Sequence, residues 1–173
     1  DTKAFLKTRA TDDDDSGVRR AAVEALASNY KDDADTKAFL KTRATDDHGS
    51  DVRYAAVQAL ASNYKDDADT KAWLKTRATD DDSDVRGAAV QALGKNFTYL
   101  PELFDIYYNC AINDPFERKE SYQTNPRRVA LEIIIKQHPH HPQTLPLLRD
   151  RAQNDPDKQV REYAQKKLAE LEK

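Results

Sequence analysis

The sequence predicts an all-α protein, a solenoid of about five helix–turn–helix units. The segment DTKAFLKTRATDD stands at Asp1, recurs unchanged at Asp35, and returns at Asp69 with Trp73 in place of phenylalanine. Residues 1–34 and 35–68 are identical at 29 of 34 positions, so the two copies must form the same local structure. Within each copy, apolar residues recur at helical spacing. Tandem units of this size stack on their neighbours instead of collapsing around one centre.

The units follow in order along the chain. In the second (35–68), Asp35 or Thr36 is placed to cap a first helix carrying Ala38, Phe39, Leu40 and Ala44, which TDDHGS ends. Ser50 or Asp51 is placed to cap a second helix. There Val52, Ala55, Ala56, Ala59 and Leu60 follow the i, i+3, i+4, i+7, i+8 pattern of a core face, and Val57 and Tyr64 widen it into a second contact surface. The first unit (1–34) shares this plan. The third (69–98) loses one residue from its acidic turn and diverges after Leu93. The fourth (99–139) reads as LPELFDIYYNCAIND and NPRRVALEIIIKQHP, with Pro126 in a first helical turn and an inserted loop at 115–125. In the fifth (140–173), Gln165 and Lys167 replace the counterparts of Val57 and Ala59, the polar outer side expected of a C-terminal capping unit. One repeat domain over 1–173 is expected.

Composition narrows the function. With 38% hydrophobic and 34% charged residues the chain is polar, as thin stacked units require. A net charge of -3 gives no basic footprint for a phosphate backbone, so nucleic acid is not the expected partner, although a local basic stripe stays open. The lone Cys110 cannot form an internal disulfide, which points to a reducing compartment, the cytoplasm. No run nears the roughly 18 apolar residues of a membrane span, and the first residues resemble no signal peptide. The chain lacks methionine and its first unit is as apolar as its second. We therefore expect a piece of a longer chain whose upstream domain is missing, or an array shortened by engineering.

Two tempting motifs weaken on inspection. DDDDSG at Asp12–Gly17 crowds carboxylates around a glycine, but an EF-hand needs a glutamate six residues after that glycine, where Val23 stands. Solvated, helix-capping turns explain the run better. His138, His140 and His141 lie in the proline-stiffened HPHHP, short of the ligand count of a structural zinc site, and read as a connecting loop. No Ser/His or Cys/His pairing recurs at a joining spacing, so the chain reads as non-catalytic, with no metal or cofactor expected.

What recurs instead is an acidic turn followed by VRRAAVEAL, VRYAAVQAL and VRGAAVQAL, with weaker versions at Arg127 and Val160. The pattern resembles the short bacterial HEAT repeat. That resemblance implies a right-handed α-solenoid of about five HEAT-like helix–turn–helix repeats, in which an arginine early in each second helix and an aspartate of each turn bond within and between units. The ladder would comprise Arg19, Arg53, Arg86, Arg127 and Arg161 with Asp13, Asp47, Asp81, Asp114 and Asp155. More narrowly, the last unit and the NDPFERKESYQTNPRR stretch resemble the C-terminal HEAT arrays of cyanobacterial NACHT-type signalling NTPases, where the array is the sensing arm. No G-x-x-x-x-G-K-[ST] loop occurs in this chain.

The differences between the first two units point to a surface. Three lie in the turn, and two, Arg20/Tyr54 and Glu24/Gln58, lie one helical turn apart on the side of the second helix opposite the core stripe. Later units place Gly87 and Gln91, Arg128 and Glu132, and Glu162 and Lys166 there. A constant framework with one variable exposed ridge is the pattern of a modular protein-binding surface, and the resemblance puts second helices on the concave side. Drift at exposed sites is the plainer alternative. Arg20, Glu24, Tyr54, Gln58, Gln91, Arg128 and Glu132 are the expected partner-binding residues, joined by Phe116 and Tyr122 of the inserted loop, which also carries Arg118 and Lys119. Other readings are a subunit like the HEAT-fold bilin lyases, a nucleic-acid role like that of HEAT-fold alkylpurine glycosylases, and a passive spacer.

Overall fold

The structure is a computed structural model that describes residues 1–172; Lys173, the last position of the expected fifth unit, lies outside the described residues. Among the described residues there are ten α-helices, one 3₁₀ turn and no strand, so the all-α helical-repeat class read from the sequence stands. The chain divides into two compact units, Asp1–Phe97 and the part from Thr98 onward.

The first compact unit contains α1 (Thr2–Asp12), α2 (Ser16–Asn29), α3 (Thr36–Asp46), α4 (Ser50–Asn63), α5 (Ala68–Arg77) and α6 (Ser83–Asn96). Each odd-numbered helix packs on the even one that follows, and α4 packs on both α2 and α6. The middle second helix is therefore covered on both sides. Val52, Ala56, Val57, Leu60 and Ala61 of α4 are all fully buried, so Val57, beside the core stripe, is covered as well. Ala59, expected on the core face, is only half-buried.

The repeated thirteen residues are explained by what they touch. Lys3 bonds Asp33 at 2.7 Å and also Asp35, which Lys7 reaches too; one copy later Lys37 bonds Asp67 and Asp69 (2.9 Å to Asp69), and Lys41 bonds Asp69 at 2.8 Å. Lys7 of one copy and Arg43 of the next lie 5.4 and 5.7 Å from the Phe39 ring centre, and Lys41 and Arg77 flank Trp73 at 5.9 and 6.0 Å. Each copy thus carries donors for the unit after it and acceptors for the unit before it.

Helix caps differ from expectation even between near-identical copies. Asp35 stands at the N-cap of α3, but its carboxylate is taken by Lys3 and Lys7, so no side-chain cap bond forms. The α4 cap is Gly49, with neither Ser50 nor Asp51 in that place. A Cβ there would meet Asp51 Oδ1 at 2.9 Å, Arg19 Nη2 at 3.0 Å and Ser16 Cβ at 3.2 Å, so glycine permits the close approach of α2.

The second compact unit begins with a 3₁₀ turn, Pro101–Leu103, followed by α7 (Phe104–Asn113), α8 (Pro126–Gln137), α9 (Thr144–Asn154) and α10 (Lys158–Leu171). Pro126 occupies the first turn of α8, as expected. Here α7 packs on α8, α9 on α10 and α8 on α10. Tyr107, Leu131, Ile134, Leu148 and Val160 form the core. Tyr99 takes a left-handed φ of 59°, and its N–H donates to Gln137 Oε1 at 3.0 Å.

Candidate protein-binding surface

The surface rests on a rigid ladder. Every predicted ladder arginine donates back to the turn before its own helix: Arg19 to Asp13 O (2.7 Å), Arg53 to Asp47 O (2.6 Å), Arg86 to Asp80 O (2.9 Å), Arg127 to Asp114 O (2.6 Å) and Arg161 to Asp155 O (2.6 Å). Between units, Arg19 Nη2 meets Asp47 at 3.1 Å and Arg127 Nε meets Asp155 at 2.9 Å, all four side chains being at most 3% exposed. Burial opposes ionisation of Asp47, but hydrogen bonds from Arg19 and the Gly49 N–H win and hold its carboxyl below the usual range.

One ladder assignment needs correcting. In Asp13, Asp47, Asp114 and Asp155 the carboxylate accepts the N–H two residues on, which shapes the turn. In the third copy Asp80 makes this bond to Asp82 N at 3.0 Å, so Asp80 takes the place expected for Asp81. The residue deleted from that turn moves the register by one. Arg53 then reaches Asp82 at 3.0 Å and Asp84 at 3.3 Å.

The ridge residues lie where the helical phase puts them, and several are bonded to one another. Arg20 pairs with Glu24 at 3.3 Å along α2. Tyr54, 43% exposed, donates from Oη to Gln91 Oε1 at 2.5 Å, joining α4 to α6, and Gln58 Nε2 reaches Ala88 O at 3.5 Å. In the second compact unit Arg128 pairs with Glu132 at 3.0 Å and lies 5.1 Å over the Tyr163 ring of α10. Burial first, then the Glu132 charge, pushes the Tyr163 hydroxyl up to about 12, against the pull of Arg128. Glu162 pairs with Lys158 at 3.6 Å, while Lys166 is exposed.

The inserted loop is anchored. Arg118 Nε and Asn125 Nδ2 both donate to Asp157 Oδ2 at 2.9 Å, and Gln159 Nε2 donates to Ser121 O at 3.3 Å. Gln123 Oε1 accepts from the N–H groups of Lys119 and Glu120, closing the tip. Phe116 is half-buried beneath Arg118, whereas Tyr122 is 83% exposed.

A family model described as HEAT repeats matches residues 1–61 and 51–106. The chain belongs to the HEAT-repeat family. Neither a curated protein nor a solved structure matches it. HEAT repeats generally act as protein-interaction scaffolds, typically without catalysis of their own. Among the described residues no helix is long and apolar enough to cross a membrane. Beyond residue 106 the HEAT ladder chemistry continues in Arg127, Asp155 and Arg161.

Sequence reasoning missed Tyr163, the aromatic that Arg128 covers, and Asp157, the anchor of the loop. For Tyr163 the available signal was its place one position past the ridge residue Glu162. For Asp157 the signal was its place three residues before Val160, the N-cap register that Asp15 and Asp82 hold in earlier units.

Proposed function

We propose that this HEAT array is a non-catalytic scaffold that binds a protein partner along the exposed ridge of its second helices, with Arg20, Glu24, Tyr54, Gln58 and Gln91 in the first compact unit and Arg128 and Glu132 in the second, joined by Phe116 and Tyr122 of the inserted loop. The observation that carries this reading is the charge state of the ridge. Arg20 pairs with Glu24 and Arg128 with Glu132 along their own helices, so the ridge offers charge-balanced pairs beside aromatic rings and amides. Such a surface suits a polypeptide better than a polyanion.

The role that fits is the sensing or partner-recognition arm of a larger signalling protein, as in the NACHT-type arrays that the last unit resembles. A reducing compartment such as the cytoplasm suits the lone, buried Cys110.

The test is affinity capture from a native lysate with the full chain beside a Tyr54→Ala/Arg128→Ala variant of matched helical content. A protein held by the parent and lost by the variant is the expected result. Equal capture by both baits sinks the ridge. Tetrapyrrole absorbance on mixing would favour a bilin lyase-like role. A full-length parent protein that keeps every activity with the ridge mutated, but not with the array shortened, would make the chain a spacer.

A further inference from the structure

Among the described residues five arginines lie over an aromatic ring, and of these Arg128 alone keeps its outer edge free. Arg9, Arg43 and Arg77 turn Nη1 to Asp13, Asp47 and Asp80, and Arg118 turns it to carbonyls of its own loop. Arg128 donates from Nε to Glu132 Oε1 at 3.0 Å, and its guanidinium carbon lies 5.1 Å from the centre of the Tyr163 ring. Neither Nη1 nor Nη2 has a partner among the described residues, and the side chain is 43% exposed. The platform is particular to this place in the array. Arg20 pairs with Glu24 in the same register, but the position that Tyr163 holds on the next second helix is there Ala55.

A guanidinium fixed through Nε and one face, with both Nη groups left on its open end, is a preformed fork for a carboxylate. The surrounding charge agrees. Along the ridge of α8 and α10, which pack on each other, Arg128, Lys136 and Lys166 stand against Glu132 and Glu162, three positive charges against two. Lys136 and Lys166 are exposed and form no ion pair among the described residues. We infer that Arg128 takes one aspartate or glutamate side chain of the partner polypeptide, with Glu132 and Tyr163 as positioning residues, an assignment that rests on the ridge being the partner surface. An excess of one charge suits a single carboxylate, whereas a phosphate dianion is met by clustered arginines.

The test uses a phage-displayed library of linear peptides selected on the full chain. Counter-selection runs in parallel on Arg128→Ala and on Tyr54→Ala, each matched to the parent by helical circular dichroism. Peptides that need Arg128 are expected to share an aspartate or glutamate. Exchanging that residue for its amide should weaken binding at least about tenfold by fluorescence anisotropy, and Arg128→Lys, which keeps the charge but loses the fork, should weaken it as much. Tyr163→Leu should cost about threefold and Tyr163→Phe nothing, because the ring and not the hydroxyl supports Arg128. Arg128-dependent peptides that share no carboxylate, or that bind Arg128→Lys or Tyr163→Leu as tightly as the parent, overturn the inference. Peptides that need Tyr54, with none that need Arg128, overturn it too but leave the ridge reading standing. A selection that yields neither kind sinks both.

Discussion

At the scale of single residues, the buried Arg19–Asp47 pair decides most. Replacing Arg19 by alanine leaves the buried Asp47 with only Arg43, at 3.6 Å, as charge partner, and the expected cost is at the lower end of about 3–5 kcal/mol, measured by urea unfolding. A loss below about 1 kcal/mol would show that water substitutes freely for the guanidinium. Tyr107 predicts the opposite sign. Its hydroxyl is fully buried with no hydrogen-bond partner, so Tyr107→Phe should be neutral or stabilising by up to about 1 kcal/mol in the same assay.

Acid response also belongs to individual residues. Hydrogen bonds from Lys3 and then Lys7 hold Asp35 at about 2, and Lys41 and then Lys37 hold Asp69 at about 2, both below the ordinary 3.8. A carboxylate whose folded value is depressed adds stability that is fully present above its unfolded value and lost as pH falls through the folded one. The melting temperature should therefore hold from neutral pH to about 5 and drop between about 4 and 2. A rise over that lower interval would contradict the ion-pair rungs. The ladder arginines were legible because four of the five recur after valine early in a second helix, Arg127 following Pro126 instead. The Lys–Asp rungs were not, because their partners lie 28 to 32 residues apart and only packing brings them together.

At the scale of helices, periodicity placed the ten α-helices but not the 3₁₀ turn at Pro101–Leu103, which it merged with α7, and it missed the ends. Asp35, Gly49 and Asp82 occupy N-caps, yet only Asp82 caps with its side chain, accepting from Asp84 N at 2.9 Å and Val85 N at 3.2 Å. Cap propensity cannot foresee that a neighbouring lysine will claim the carboxylate, as happens at Asp35. Asp82→Ala should cost about 0.5–2 kcal/mol, with faster hydrogen exchange confined to the first turn of α6. Unchanged exchange there would mean that the cap is dispensable, as at Gly49. The inserted loop marks the other limit. Its aromatic and basic composition suggested a binding loop, and its anchoring through Asp157 depends on a residue 39 positions after Arg118.

At the scale of the molecule, a net charge of -3 and a self-paired ridge make salt the discriminating variable. Partner binding should change by less than about threefold between 50 and 200 mM salt, whereas a phosphate-backbone ligand with 6–10 contacts would lose about 10³–10⁵ in affinity. A titration by calorimetry at the two salt concentrations separates these outcomes. The family and its stacking were legible from repetition alone. The partner was not, because the exposed ridge positions follow no packing rule that the sequence could reveal.

The two-sided use of each copy, donors toward the next unit and acceptors toward the last, bears on how such a chain can change over generations. A segment that carries both halves of its own joint can be copied or lost in one recombination event between near-identical stretches, with no second mutation needed to make the new junction fit. The reach of the array can then vary by whole copies while the few ridge positions diverge separately.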